Sequence, residues 1–160
     1  MTSVEYSVEV DAPPEDVWAV TSDPRGLPAW ERLIESVAAP VGGLGPGVRF
    51  TVTMSFAGVR ARVPCVVREW EPPWRSVVGL DGLLVATVAT SVASLPFDRS
   101  VLRHEVQYVF KGPLGSFAAA SLRAIGGAEY ALRRGTDAQL RAIAANRRPA
   151  KAPKRRSGKD

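Results

Sequence analysis

The 160-residue chain has a single cysteine, Cys65, a single histidine, His104, and only one lysine, Lys111, before its last 14 residues. One cysteine excludes an internal disulfide framework and any multi-cysteine zinc site. One histidine excludes a histidine-based metal cluster. No apolar run approaches the ~18 residues that a membrane-spanning helix needs. Met1 to Val10 lacks a basic region followed by an apolar stretch, so no signal peptide is expected. Together these absences predict a protein of the reducing cytoplasm. Gly42-Gly43-Leu44-Gly45-Pro46-Gly47 lacks the Lys-Ser/Thr ending of a phosphate loop and precedes a strand pattern, so it is a turn. There is no nucleophile elbow, no dinucleotide fingerprint and no paired metal-ligand spacing. No cofactor and no metal are expected.

What is present is a hydrophobic fraction of 46% against 23% charged residues, the balance of one globular domain. The formal net charge of +5 suggests an anionic partner until its position is checked. Residues 147–160 hold seven basic residues and one acidic, a net of +6, which leaves residues 1–146 at −1. The basic character belongs to a tail that contains Pro149 and Pro153 and no large apolar residue. Such a segment has too little surface to bury against its ordering entropy, and it is expected to be disordered. Two regions follow: a domain over 1–146 and a basic tail over 147–160. Arginine in place of lysine in the domain, with abundant Ala, Gly and Pro, suggests a GC-rich bacterial source.

Val4, Tyr6, Val8 and Val10 alternate with polar residues and predict a half-buried strand. Pro14, Glu15 and Asp16 suit the first turn of a short helix, where N–H groups lack partners and the dipole is positive. A second short helix is expected over Leu27–Trp30. Strands are then expected around Ile34–Val41, over Val48–Phe56, from Val59 to the stop at Glu71-Pro72-Pro73, and over Arg75–Leu80, Leu84–Leu95 and Val101–Phe110. From Leu114 to Asn146 the period becomes helical. One continuous helix there would be about 45–50 Å long, and it would place Leu114, Phe117, Ser121, Ile125, Ala128, Leu132, Thr136, Gln139 and Ile143 on one face. Gly126-Gly127 and Gly135 are its weak points. A meander of antiparallel strands followed by one amphipathic helix is an α+β layout, with the helix on one face of the sheet.

This order, with Val8-Glu9-Val10-Asp11-Ala12-Pro13-Pro14-Glu15-Asp16-Val17-Trp18, Asp23-Pro24, Pro28-Ala29-Trp30, Gly45-Pro46-Gly47-Val48-Arg49-Phe50, Glu69-Trp70-Glu71-Pro72-Pro73, Leu102-Arg103-His104-Glu105-Val106 and Gly112-Pro113-Leu114-Gly115, resembles the START-like (SRPBCC, Bet v 1-like) superfamily, in particular its polyketide cyclase/dehydrase-like branch. The resemblance spans residues 1–146. It implies a helix-grip fold: a curved seven-stranded antiparallel sheet wrapped around a long C-terminal helix, two short helices after the first strand, and an apolar cavity between sheet and helix. Functions across that superfamily range from lipid transport to polyketide ring closure, so the fold does not fix the reaction. Its aromatase/cyclases place arginine, serine and tyrosine in the cavity. Ser55, Arg60 and Arg62 lie in the corresponding region, but their strand phase faces them to solvent.

In the last strand Leu102, His104, Val106, Tyr108 and Phe110 share the phase that faces the helix. His104 and Tyr108, about 13 Å apart along the strand, are either a proton donor–acceptor pair for a carbonyl-bearing ligand or two amphipathic side chains with satisfied hydrogen bonds. Ser121, Ala128, Thr136 and Gln139 put small and polar groups where a solid core would hold Leu or Ile. Either they leave a ligand space or they permit a tight helix–sheet contact, and the resemblance favours the space. The expected lining is Trp30, Met54, His104, Tyr108, Phe117, Ser121 and Ile125. Glu129 reads as a solvated flank carboxylate, and Cys65 as a small buried hydrophobe.

The leading expectation is therefore binding of a small hydrophobic, polyketide-like or lipid-like ligand. The first alternative is a cyclase/dehydrase-type enzyme acting on such a ligand, with His104 and Tyr108 as catalytic candidates. The second is a macromolecular partner, with the tail making a weak electrostatic contact with nucleic acid or an anionic membrane.

Overall fold

The first strand pairs with the last. In the computed structural model, which describes residues 1–147, β1 (Thr2–Val10) runs antiparallel to β7 (Arg99–Phe110), with Val4 opposite Val106 and Val8 opposite Leu102. Residues 148–160, and with them nearly all of the expected basic tail, lie outside the described residues. Between these strands the chain forms β2 (Ile34–Ala38), β3 (Arg49–Phe56), β4 (Val59–Glu71), β5 (Arg75–Leu80) and β6 (Leu84–Leu95). The sheet order is β1-β7-β6-β5-β4-β3-β2, all antiparallel. This is the α+β helix-grip architecture expected from the sequence.

Local chemistry explains the joints. Ala57 (φ 48°) and Gly58 (φ 80°) both take positive φ in the two-residue loop between β3 and β4, the backbone a tight hairpin requires. Helix α1 (Pro14–Thr21) starts with proline at its first position and has Glu15 and Asp16 in its first turn. A 3-10 turn over Pro24–Gly26 leads into α2 (Leu27–Trp30). A bulge in β4 lets Arg68 drop out of the pairing between Val67 and Glu69. It switches the inward phase from Ala61, Val63, Cys65 and Val67 to Trp70. Arg68 crosses Gly79, where a Cβ would stand 2.5 Å from its Nε.

The C-terminal helix is not continuous. Gly126 (φ 113°) and Gly127 (φ 86°) divide it into α3 (Gly112–Ala124) and α4 (Gly127–Arg147). Two left-handed residues in succession end the helical ladder, and α4 begins with its own phase. The helix includes Arg147, whose guanidinium donates to Asp11 O at 2.8 Å and lies 3.5 Å from Asp16.

The core forms two clusters. One gathers Val10, Val17, Trp18, Trp30, Leu102 and Ile143 where α1, α2 and α4 meet the β1–β7 side. The other gathers Phe50, Val52, Met54, Val63, Cys65 and Ala118 over β3 and β4. Members of both line the space between sheet and helices. No described helix is long and apolar enough to cross a membrane.

Candidate functional site

Strand phase builds the floor of that space. Phe50, Val52 and Met54 of β3, Val78 and Leu80 of β5, Ala86, Val88 and Thr90 of β6, and His104, Val106 and Tyr108 of β7 all point to the helix side. Above them α4 presents Ala128, Ala131, Gly135 and Thr136, and short side chains in this row leave the sheet and helix apart. The result is a largely apolar cavity of about 290 Å³. Trp30 is buried at one end, its ring lying where any side chain at Gly26 would have to go. Trp70 adds a second indole, packed edge-to-face on Trp18 with ring centroids 5.0 Å apart.

Of the seven side chains expected in the lining, Trp30, Met54, His104 and Tyr108 are there. Phe117, Ser121 and Ile125 are not. Phe117 is 43% exposed and rests on Phe56, with centroids 5.7 Å apart. Ser121 bonds back to Phe117 O at 3.0 Å, and Ile125 is half-buried at the end of α3. The cause is the Gly126-Gly127 break. A continuous helix would bring 114, 117, 121 and 125 into line with Leu132 and Thr136. Instead α3 buries Gly115 and Ala118 and turns Leu122 to the cavity, the expected stripe displaced by one residue or about 100°. Gly115 permits the close seat, since a Cβ there would stand 2.9 Å from Leu83 O.

His104 is buried with both ring nitrogens engaged. Gln139 presents its carbonyl oxygen 2.7 Å from Nε2, so Nε2–H donates to it. Nδ1, 2.9 Å away, then accepts the Thr90 hydroxyl. Burial lowers the imidazole pKa below its ordinary value, and the Gln139 bond acts in the opposite sense. Of the two readings of His104, the satisfied hydrogen-bonding one describes its geometry. Tyr108 is half-buried and packs edge-to-face on Phe110, with centroids 5.8 Å apart.

Cys65 also lines the cavity. Its thiol is pushed up to about 11 by burial, which removes its nucleophilic character at neutral pH. Glu129 is exposed beside Arg133, one turn away at 3.9 Å. Ser55 is half-buried and Arg60 and Arg62 are exposed on the outer face, and Arg60 pairs with Glu35 at 2.7 Å.

Sequence reasoning placed neither carboxylate of the lining, Asp23 or Glu31, and of the two Glu31 is the one strongly affected by burial. It follows α2 and belongs to no periodic run, so phase says nothing about it. It lines the cavity, and burial pushes its carboxyl up to about 7. Gly135 makes room for it: a Cβ at 135 would stand 2.5 Å from Glu31 Oε1 and 3.1 Å from Trp30 O. The glycine that looked like a weak point of the helix is the point where α4 meets the end of α2.

Comparison with known proteins places this geometry. Residues 1–146 match the family described as polyketide cyclase / dehydrase and lipid transport. Two Mycobacterium tuberculosis relatives, uncharacterized proteins MT1597 and Rv1546, are each 30% identical over 129 residues, covering 77% of this chain and 90% of theirs. Among solved structures, TTHA0849 from Thermus thermophilus superposes with a TM-score of 0.70 at 16% identity, covering 92% of this chain and all of that one. A START superfamily protein from Mycobacterium smegmatis gives 0.61 at 16% identity, with 88% and 98% covered. A norcoclaurine synthase from Thalictrum, in complex with a transition-state analogue, gives 0.64 at 16% identity, with 92% and 96% covered. The chain belongs to the polyketide cyclase/dehydrase and lipid transport family, on the START-like helix-grip fold.

Proposed function

We propose that the protein binds a small, largely apolar ligand, polyketide-like or lipid-like, between the sheet and helix α4. The observation that carries this reading is the cavity itself: about 290 Å³ walled by aliphatic and aromatic side chains, with few polar groups. Its size is near the lower end of small-molecule sites, roughly 300–1,000 Å³. A family described by polyketide and lipid chemistry supports it.

A cyclase or dehydrase would use the same cavity, by fixing the shape of a reactive chain and excluding water. The state of His104 favours binding over that alternative. Both of its nitrogens are already bonded, to Thr90 and Gln139, so proton transfer to a ligand would first have to break one of those bonds.

A titration with the neutral apolar dye N-phenylnaphthylamine tests the reading. Wild type is expected to enhance the dye's fluorescence saturably. Ala131→Phe, which fills the cavity from α4, is expected to abolish the enhancement while keeping the wild-type circular dichroism. Ala128→Phe gives the same test from one turn earlier. Equal enhancement by both filled variants would overturn cavity binding.

A further inference from the structure

We propose that the cavity selects neutral and amine-bearing apolar ligands over carboxylates, with Glu31 as the group that meets the amine. This rests on the reading of the cavity as a ligand site and adds the ligand's charge class.

The chain has 21 lysines and arginines, yet none among the described residues lines the cavity. Several of the sheet's arginines are paired with strand carboxylates away from the cavity: Arg103 with Glu5 at 2.6 Å, Arg99 with Glu9 at 2.9 Å and Arg75 with Glu69 at 2.8 Å. Two carboxylates do line the cavity, and they differ. Asp23 accepts from both the backbone N–H and Nε of Arg25, each at 3.0 Å. Glu31 makes no side-chain hydrogen bond or ion pair among the described residues. Its Oε1 sits in the slot that the missing Cβ of Gly135 leaves open, which fixes the carboxylate at the edge of the cavity.

The remaining polar groups of the lining, the Tyr108 and Ser76 hydroxyls and the Gln139 amide among them, are neutral and supply no countercharge, and three of the donors are already used. His104 Nε2–H is used by Gln139, the Thr90 hydroxyl by His104, and the Thr136 hydroxyl by Leu132 O at 2.8 Å. A ligand carboxylate would therefore add a second negative charge to a poorly solvated space that offers no cation among the described residues. A ligand ammonium supplies the countercharge that Glu31 lacks and forms a charge-assisted bond with it. A neutral alcohol meets neither penalty nor gain. The raised carboxyl of Glu31 fits a site whose cation is absent until a ligand brings one.

The test displaces bound N-phenylnaphthylamine with a matched series, decylamine, decanol and decanoate, near neutral pH. Decylamine is expected to compete about tenfold better than decanol, and decanoate about tenfold worse. In Glu31→Gln, which keeps size and removes charge, decylamine should fall to the decanol level while decanol is unchanged. If decanol competes but amine and carboxylate compete equally in both proteins, the charge selection is wrong and the cavity reading stands. If neither the dye nor any of the three binds wild type, both are wrong.

Discussion

His104 Nε2 and Gln139 Oε1 stand 2.7 Å apart, and their hydrogen bond ties strand β7 to helix α4 across the cavity wall. Gln139→Leu leaves the imidazole N–H buried without a partner. It is expected to lower the unfolding free energy by about 1–3 kcal/mol, measured by denaturant titration. Gln139→Glu keeps an acceptor and adds a negative charge beside the ring. There the His104 pKa should rise relative to wild type, as followed by NMR titration of the imidazole. An unchanged titration would mean that the ring does not face residue 139.

Glu31 makes stability depend on pH in a definite direction. Its folded-state pKa, raised to about 7 from 4.5, means that the folded protein binds its proton more tightly than the unfolded chain does. The associated stabilisation is complete below about 4.5 and is lost as pH rises to about 7. His104 acts in the opposite sense. Its lowered folded-state pKa gives a contribution that is complete above 6.5 and shrinks as pH falls below it. Comparing wild type with Glu31→Gln cancels the His104 part. Wild type should lose at most about 3 kcal/mol relative to the variant between those pH limits. A difference independent of pH would refute the burial of the carboxylate.

Gly135→Ala tests the contact between α4 and the end of α2. Helix propensity alone predicts a gain of about 1 kcal/mol. The new methyl, however, would stand 2.5 Å from Glu31 Oε1 and 3.1 Å from Trp30 O, so net destabilisation is expected in thermal unfolding. Adding Glu31→Ala removes the nearer of the two atoms. The Gly135→Ala change should be less destabilising in that background than in wild type.

The strands were legible because alternation survives wherever one sheet face is buried: Val52 and Met54, or His104 and Val106, could be assigned a side from period alone. Helix Leu27–Trp30 was also expected at the place where it forms, with Pro28 in its first turn. Phase failed where the backbone leaves its period. The bulge at Arg68 turns Trp70 inward, and the Gly126-Gly127 break rotates α3 so that Leu122 replaces Ser121 and Ile125. Glu31 had no phase to read. Its signal lay at a distance, in Gly135, a residue without a side chain on an otherwise inward-facing stripe of α4. Pairings such as Thr90 with His104 depend on strand register, which alternation does not specify.

The most direct measurement of the central claim is the methyl NMR spectrum of the protein titrated with decanol. Shifts are expected to concentrate on Val52, Met54, Val106 and Leu132, which line the cavity, with Leu114 and Val41 on the exposed surface unchanged. Shifts confined to Leu114 and its exposed neighbours on α3, with the cavity methyls unmoved, would contradict it.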